Sequence, residues 1–143
     1  MYLPDGSFEQ VLDDLVRLLR PGGRLALFEL DYGATILAPG TASDAVLQRA
    51  GDALLASLPQ PLAGRRIPGL LSERGLRRVA ADPFSFVVNE LVWRRIVGDT
   101  LTAGPSSDPA ISTWVRQQAA AAARGEFVAA FTGVLTAATR DGA

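Results

Sequence analysis

Apolar residues near the start of the chain recur at spacings of three and four: Phe8, Val11, Leu12, Leu15, Leu18 and Leu19. This predicts an amphipathic helix, opened by the capping pair Ser7 and Gln10. Arg17 and Arg20 suit its C-terminus, and Pro21-Gly22-Gly23 stops it. The run Arg24 to Asp31 that follows is nearly continuous in apolar residues from Leu25 to Leu30. It reads as a strand buried on both faces, of the kind found in parallel, helix-covered sheets.

Gly33, Pro39 and Gly40 mark a loop, and Ser43 is placed to cap a helix with the apolar face Val46, Leu47, Ala50, Leu54 and Leu58. Pro59-Gln60-Pro61 closes that helix. A shorter one is predicted from Pro68 to Arg74, ended by Gly75, and then a strand from Leu76 to Val88, interrupted near Asp82-Pro83. Leu91, Val92, Ile96, Val97 and Leu101 form another helical stripe, and Asp108-Pro109 opens a further helix reaching Arg124-Gly125. Phe127 to Thr139, rich in Val, Phe and Thr, reads as the last strand. The order helix, strand, helix, helix, strand, helix, helix, strand implies one α/β unit with helices over a sheet.

Composition narrows the chemistry. At 143 residues, 48% hydrophobic and 20% charged, the chain has the makings of an ordinary globular core. A net charge of -1 gives no field that would draw it to nucleic acid or an anionic membrane. There is no Cys and no His, which excludes disulfides, the common zinc and non-haem iron sites, and Ser-His-Asp or Cys-His catalysis. All 14 basic residues are Arg. No metal is expected. No window reaches 18 uninterrupted apolar residues and the first ten show no leader pattern, so a cytoplasmic protein is the expectation.

The segment Leu18-Leu19-Arg20-Pro21-Gly22-Gly23-Arg24-Leu25 is by itself a helix stop and a strand start. As a pattern it resembles the link between the helix after strand four and strand five of class I S-adenosylmethionine-dependent methyltransferases. Met1-Tyr2-Leu3-Pro4-Asp5 is similar to the segment after strand four, and Phe28 to Gly33 to the end of strand five. Gly64-Arg65-Arg66-Ile67-Pro68-Gly69-Leu70-Leu71 with Gly75-Leu76 resembles the approach to strand six in the ubiquinone-biosynthesis-like small-molecule group. Ala123 to Phe127 resembles the run into strand seven.

The resemblance implies the C-terminal part of an incomplete Rossmann-like fold, with strands in the order five, seven, six and covering helices. It implies a single partial domain over residues 1–143 without the cofactor-binding half, since no G-x-G-x-x-G occurs in the sequence. The activity implied is methyl transfer from S-adenosylmethionine to a small-molecule acceptor, in a complete domain; the chain alone is expected to bind that cofactor poorly.

Ligands of α/β sheets sit beyond the carboxyl ends of strands, which nominates Glu29, Asp31 and Tyr32 as acceptor-binding residues. Asp31 and Tyr32 equally suit the start of a solvated loop. Arg65, with Arg66, is a candidate for an anionic substrate group or a solvated pair. Tyr2 is the cofactor-side candidate by family position alone. Trp93 and Trp114, on apolar stripes, read as packing. Without strand four, Leu25 to Leu30 would present an open edge, so the partners expected are a second copy or a missing N-terminal half. The rival readings are a non-catalytic module that assembles through that edge, and a fragment with no independent function.

Overall fold

The helix and strand patterns resolve into eight principal elements in the computed structural model, which describes residues 7–35, 42–103 and 108–142. They are α1 (Ser7–Leu18), β1 (Arg24–Leu30), α2 (Asp44–Ser57), α3 (Ala63–Glu73), β2 (Arg77–Val88), a helical stretch from Glu90 to Thr102, α6 (Pro109–Ala123) and β3 (Ala129–Thr139). The stretch from Glu90 to Thr102 consists of α4 (Glu90–Trp93), a π-helical turn over Arg94–Gly98 and α5 (Asp99–Thr102). A single 3-10 turn, Tyr32–Ala34, follows β1. The fold is mixed α/β. Its sheet has three strands in the order β1-β3-β2, with the last strand of the chain in the middle.

Packing divides the chain into two compact units. The first comprises Met1–Asp31, Pro59–Phe84 and Gly133–Ala143. Here α1 and α3 bury their apolar stripes together through Phe8, Leu12, Ala63, Ile67 and Leu71, and Leu25, Leu27 and Val79 of the strands pack against them. β1 pairs antiparallel with β3, from Arg24 opposite Thr139 to Leu30 opposite Gly133. Arg140, just after β3, donates from Nη1 to the carbonyls of Leu19 at 2.6 Å and Val16 at 3.2 Å, tying the end of α1 to the sheet.

β1 departs from the expected doubly buried, parallel strand. Its residues alternate between exposed and half-buried, and its neighbour β3 is antiparallel. Leu25 and Leu27 face the helices. Phe28 is on the other face, 50% exposed, opposite Leu135 at 43%. The Phe28 ring stacks on Phe84, itself 46% exposed, with centroids 5.6 Å apart. Gly133 makes that possible, because a side chain there would occupy the place of the Phe28 ring. A run of Leu, Ala and Phe is therefore ambiguous: an apolar residue is equally compatible with a buried face and with an apolar face left open.

Two other boundaries also differ. α3 starts at Ala63, five residues before the expected Pro68, and Pro68 lies inside it. Burial of Ala63, Gly64 and Ile67 outweighs the backbone hydrogen bond that Pro68 forgoes. β2 runs unbroken through Asp82-Pro83 because it is an edge strand, where a missing N–H need not cost a ladder bond.

The second unit comprises Tyr32–Leu58 and Ser85–Thr132. Its core is built on Trp93, fully buried, with Trp114 edge-on at 5.4 Å and Phe127 at 5.7 Å. Both tryptophans pack as their positions on apolar stripes suggest. Gly98 ends the π-helical turn where a Cβ would come within 3.2 Å of Val115 Cγ1, so it allows this stretch close to α6. Asp108 caps α6, accepting from the Ala110 N–H at 2.8 Å, and also accepts from Arg49 Nε of α2 at 2.8 Å.

Two helix glycines make opposite predictions. A Cβ on Gly64 would meet Glu29 O at 2.9 Å and Leu30 O at 3.1 Å, backbone atoms that cannot swing aside. Gly64→Ala is expected to lower stability by about 1–3 kcal/mol despite the better helix former. Gly69→Ala in the same helix, where a Cβ meets nothing within 4 Å, should instead raise it by up to about 1 kcal/mol. Urea denaturation of the two variants checks both signs.

Asp108 adds a pH dependence. The Arg49 guanidinium, then the Ala110 N–H, hold its carboxyl below its ordinary value of 3.8. A carboxyl depressed on folding stabilises above its unfolded pKa and loses that contribution as pH falls through the folded one. Asp108→Ala should therefore lower the thermal midpoint at pH 7, with the difference from wild type shrinking as the pH is taken below 3.8.

Candidate functional site

In the first unit, the carboxyl end of β1 is where α3 comes closest. With no side chain on Gly64, the N-terminal turn of α3 lies against the Glu29 and Leu30 carbonyls. This brings the next residue, Arg65, to Asp31: Nε donates to Oδ2 at 2.7 Å. Asp31 is 5% exposed, whereas the Arg65 side chain is 49% exposed. The hydrogen bond from Arg65 to Asp31 holds the guanidinium above its ordinary pKa, opposed by burial and aided to a lesser degree by the attraction between the two charges. No other hydrogen bond of the Arg65 side chain forms among the described residues, so its outer N–H groups face solvent.

Glu29 is turned onto its own strand. Its Oε1 accepts from the Leu30 N–H at 2.9 Å. Arg66 points away from Arg65, donating to Gln60 Oε1 at 2.8 Å and reaching Glu9 Oε1 at 3.5 Å. The structure therefore brings Asp31 and Arg65 together and separates the two adjacent arginines, as successive positions on a helix require. Tyr2 lies outside the described residues.

The chain passes into the second unit between Asp31 and Tyr32. Tyr32 opens the 3-10 turn, its ring edge-on to Phe131 with centroids 6.0 Å apart. The Ala34 carbonyl accepts from Thr132 Oγ1 at 2.9 Å, which anchors the end of that turn. Tyr32 lines a depression of about 390 Å³ whose other wall is α2, including Asp44, Leu47, Gly51, Asp52 and Leu54. Sequence reasoning reached Tyr32 but none of the α2 residues. Asp44 and Asp52 look like an ordinary solvated helix face; the signal that was available is Gly51, a glycine inside a helical pattern.

The described residues contain no group of three or more acidic side chains, with no Cys or His in the sequence, placed to hold a metal ion. The left-handed glycines Gly22, Gly75 and Gly125 each precede a strand, whereas the cofactor loop of the resembled family follows one. No described helix is long and apolar enough to cross a membrane. Comparison of the chain with protein families and with curated proteins gives no match.

The Asp31–Arg65 pair predicts a contrast between neighbours. Arg65→Ala takes the guanidinium from a carboxylate that is almost wholly buried, and should cost about 1–2 kcal/mol, less than a fully buried pair because Arg65 is half in solvent. Arg66→Ala should cost less than about 0.5 kcal/mol. Chemical denaturation of the two variants measures the difference.

Proposed function

We propose that this chain forms the acceptor-binding part of an S-adenosylmethionine-dependent methyltransferase acting on small molecules, with a Rossmann-like fold completed by a cofactor-binding half. One observation carries the reading: β3 lies between β1 and β2. That matches the order five, seven, six implied by the resemblance, in the same succession of helices and strands. Such an order requires the chain to leave β2, form two helical stretches and return to the middle of the sheet, a less economical path than a meander.

The chemistry is compatible with what the residues offer. Methyl transfer from a sulfonium is a direct displacement, in which holding the acceptor in line with the methyl group supplies much of the rate. Neither His nor Cys is required. Arg65, fixed through one edge by Asp31 and open at the other, suits an anionic group. Tyr32 borders a depression of a size suited to a small metabolite. The methyl donor is held by residues other than those described.

A second reading has its own support. β1 is an edge strand, and in an antiparallel pair only alternate residues bond the neighbouring strand. The Leu30 N–H, at the end of β1, donates to the carboxylate of the preceding Glu29. An open ladder beside the half-exposed Phe28 is a surface for assembly, catalytic or not.

One experiment separates the readings. S-adenosylhomocysteine is titrated into the chain alone and into the chain fused behind the glycine-rich half of a small-molecule class I methyltransferase, with both samples run in sedimentation. The methyltransferase reading expects binding weaker than about 100 μM for the chain alone, tighter binding for the fusion, and transfer of labelled methyl to a small acceptor. A folded fusion that binds the product yet methylates nothing, while the chain alone forms a reversible dimer, would favour assembly.

A further inference from the structure

The two edges of the sheet are built differently. β2, at one edge, carries Asp82 and Pro83 and opens on Arg77 and Arg78, the latter in the left-handed region at a φ of 51°. Proline, charge and irregular backbone are the devices that keep an exposed strand edge from pairing. β1, at the other edge, has none of them from Leu25 to Phe28: no proline, no charge and no positive φ. One sheet thus protects one edge and leaves the other ready to pair.

The ladder that β1 offers is fixed by its paired side. The Arg140 N–H donates to the Gly23 carbonyl at 2.9 Å, and these two residues continue the register that sets Arg24 opposite Thr139. Gly23 therefore belongs to the alternate set that bonds β3, followed by Leu25, Leu27 and Glu29. Arg24, Ala26, Phe28 and Leu30 turn their N–H and carbonyl groups to the open edge. A second β1 running antiparallel about Leu27 meets all of that set: Arg24 falls opposite Leu30 of the other copy, and Ala26 opposite its Phe28. Centring on Ala26 or on Phe28 instead leaves Leu30 or Arg24 with no strand residue to face. The Leu30 N–H is already engaged by Glu29 Oε1, so Ala26 and Phe28 form the middle of the ladder. There the small Ala26 leaves room for the half-exposed Phe28 ring of the other copy. Antiparallel pairing also brings the Arg24 end of one strand beside the Glu29 end of the other, whereas a parallel copy would set like charges together.

We infer that two copies of this chain pair antiparallel through β1 about a twofold axis at Leu27, joining their three-stranded sheets into one continuous sheet. The pairing rests on the assembly reading and names its partner as a second copy. Because β1 has a single free edge, this dimer and a cofactor-binding half beside β1 exclude each other.

The test is sedimentation of the 143-residue chain, joined to cysteine cross-linking that the absence of native Cys makes clean. The chain should dimerise with a Kd of about 10 μM. Ala26→Pro removes an edge N–H that β3 does not use, and should weaken the dimer about 10-fold or more while the chain stays folded by circular dichroism. Phe28→Lys, which leaves the backbone free, should do the same and keeps the test independent of how Ala26→Pro folds. Under mild oxidation Leu27→Cys, at the axis, should cross-link about 10-fold faster than Ala26→Cys or Phe28→Cys, whose own counterparts lie farther off. A dimer indifferent to both Ala26→Pro and Phe28→Lys, or faster cross-linking at Ala26→Cys or Phe28→Cys, overturns the inference and leaves the assembly reading standing. A chain that stays monomeric at about 100 μM while the fusion folds assigns the edge to the cofactor-binding half and overturns it too. Methyl transfer by the fusion, with Leu27→Cys cross-linking in the chain alone, keeps this dimer and removes assembly as the function.

Discussion

The approach of α3 to the end of β1 is the constraint on which the first unit depends. A helix lies this close to strand carbonyls only where it lacks a side chain, and Gly64 supplies that position. Several consequences follow from one missing Cβ. Ile67 and Leu71 reach the apolar stripe of α1, Leu25 and Leu27 are covered on that face, and Arg65 arrives beside Asp31. The ion pair is thus a result of packing as much as a cause of it. Its carboxylate is buried because the helix is near, and the burial is tolerable because the same helix brings the guanidinium.

Most of the architecture was legible because helix and strand periods are distinct and the stop signals strong. Pro21-Gly22-Gly23, Gly75 and Asp108-Pro109 all stand at the boundaries they suggest, and the order of elements follows. What failed to show was anything that depends on neighbours distant in sequence. Pro68 looked like a start because proline is commonest there; only tertiary burial of Ala63 and Ile67 reveals a helix already under way. Pro83 looked like a break because nothing local says that β2 is an edge strand. At the site, Asp31 and Arg65 were each visible as candidates, but their pairing across 34 positions was not, and Arg66 could not be told from Arg65 until the helix turned them apart.

The open face of β1 and β3 bears on both functional readings. An antiparallel sheet with one wet face ordinarily alternates apolar with polar residues. Here the face away from α1 and α3 carries Ala26 and Phe28 on β1, and Gly133, Leu135 and Ala137 on β3. Phe28 and Phe84 cover part of it by stacking across Gly133, which reduces the exposed apolar area without removing it. A layer over this face and a strand beside β1 are what a cofactor-binding half would contribute. The assembly reading would cover the same features with a second copy. The distinction is thus one of partner, since either reading requires the surface to be covered.

Ion pairs on the described surface are made by arginine alone. Every basic side chain is an arginine, and arginines pair readily with carboxylates: Arg74 reaches Glu9 and Asp13, Arg77 reaches Asp141, Arg94 reaches Glu90 and Arg124 reaches Glu126. Most are half-exposed and contribute little individually to stability. The Asp44 and Asp52 carboxylates have no ion pair among the described residues, and Arg65 engages Asp31 through its Nε. The two aspartates lie in the second unit and the Arg65 guanidinium in the first.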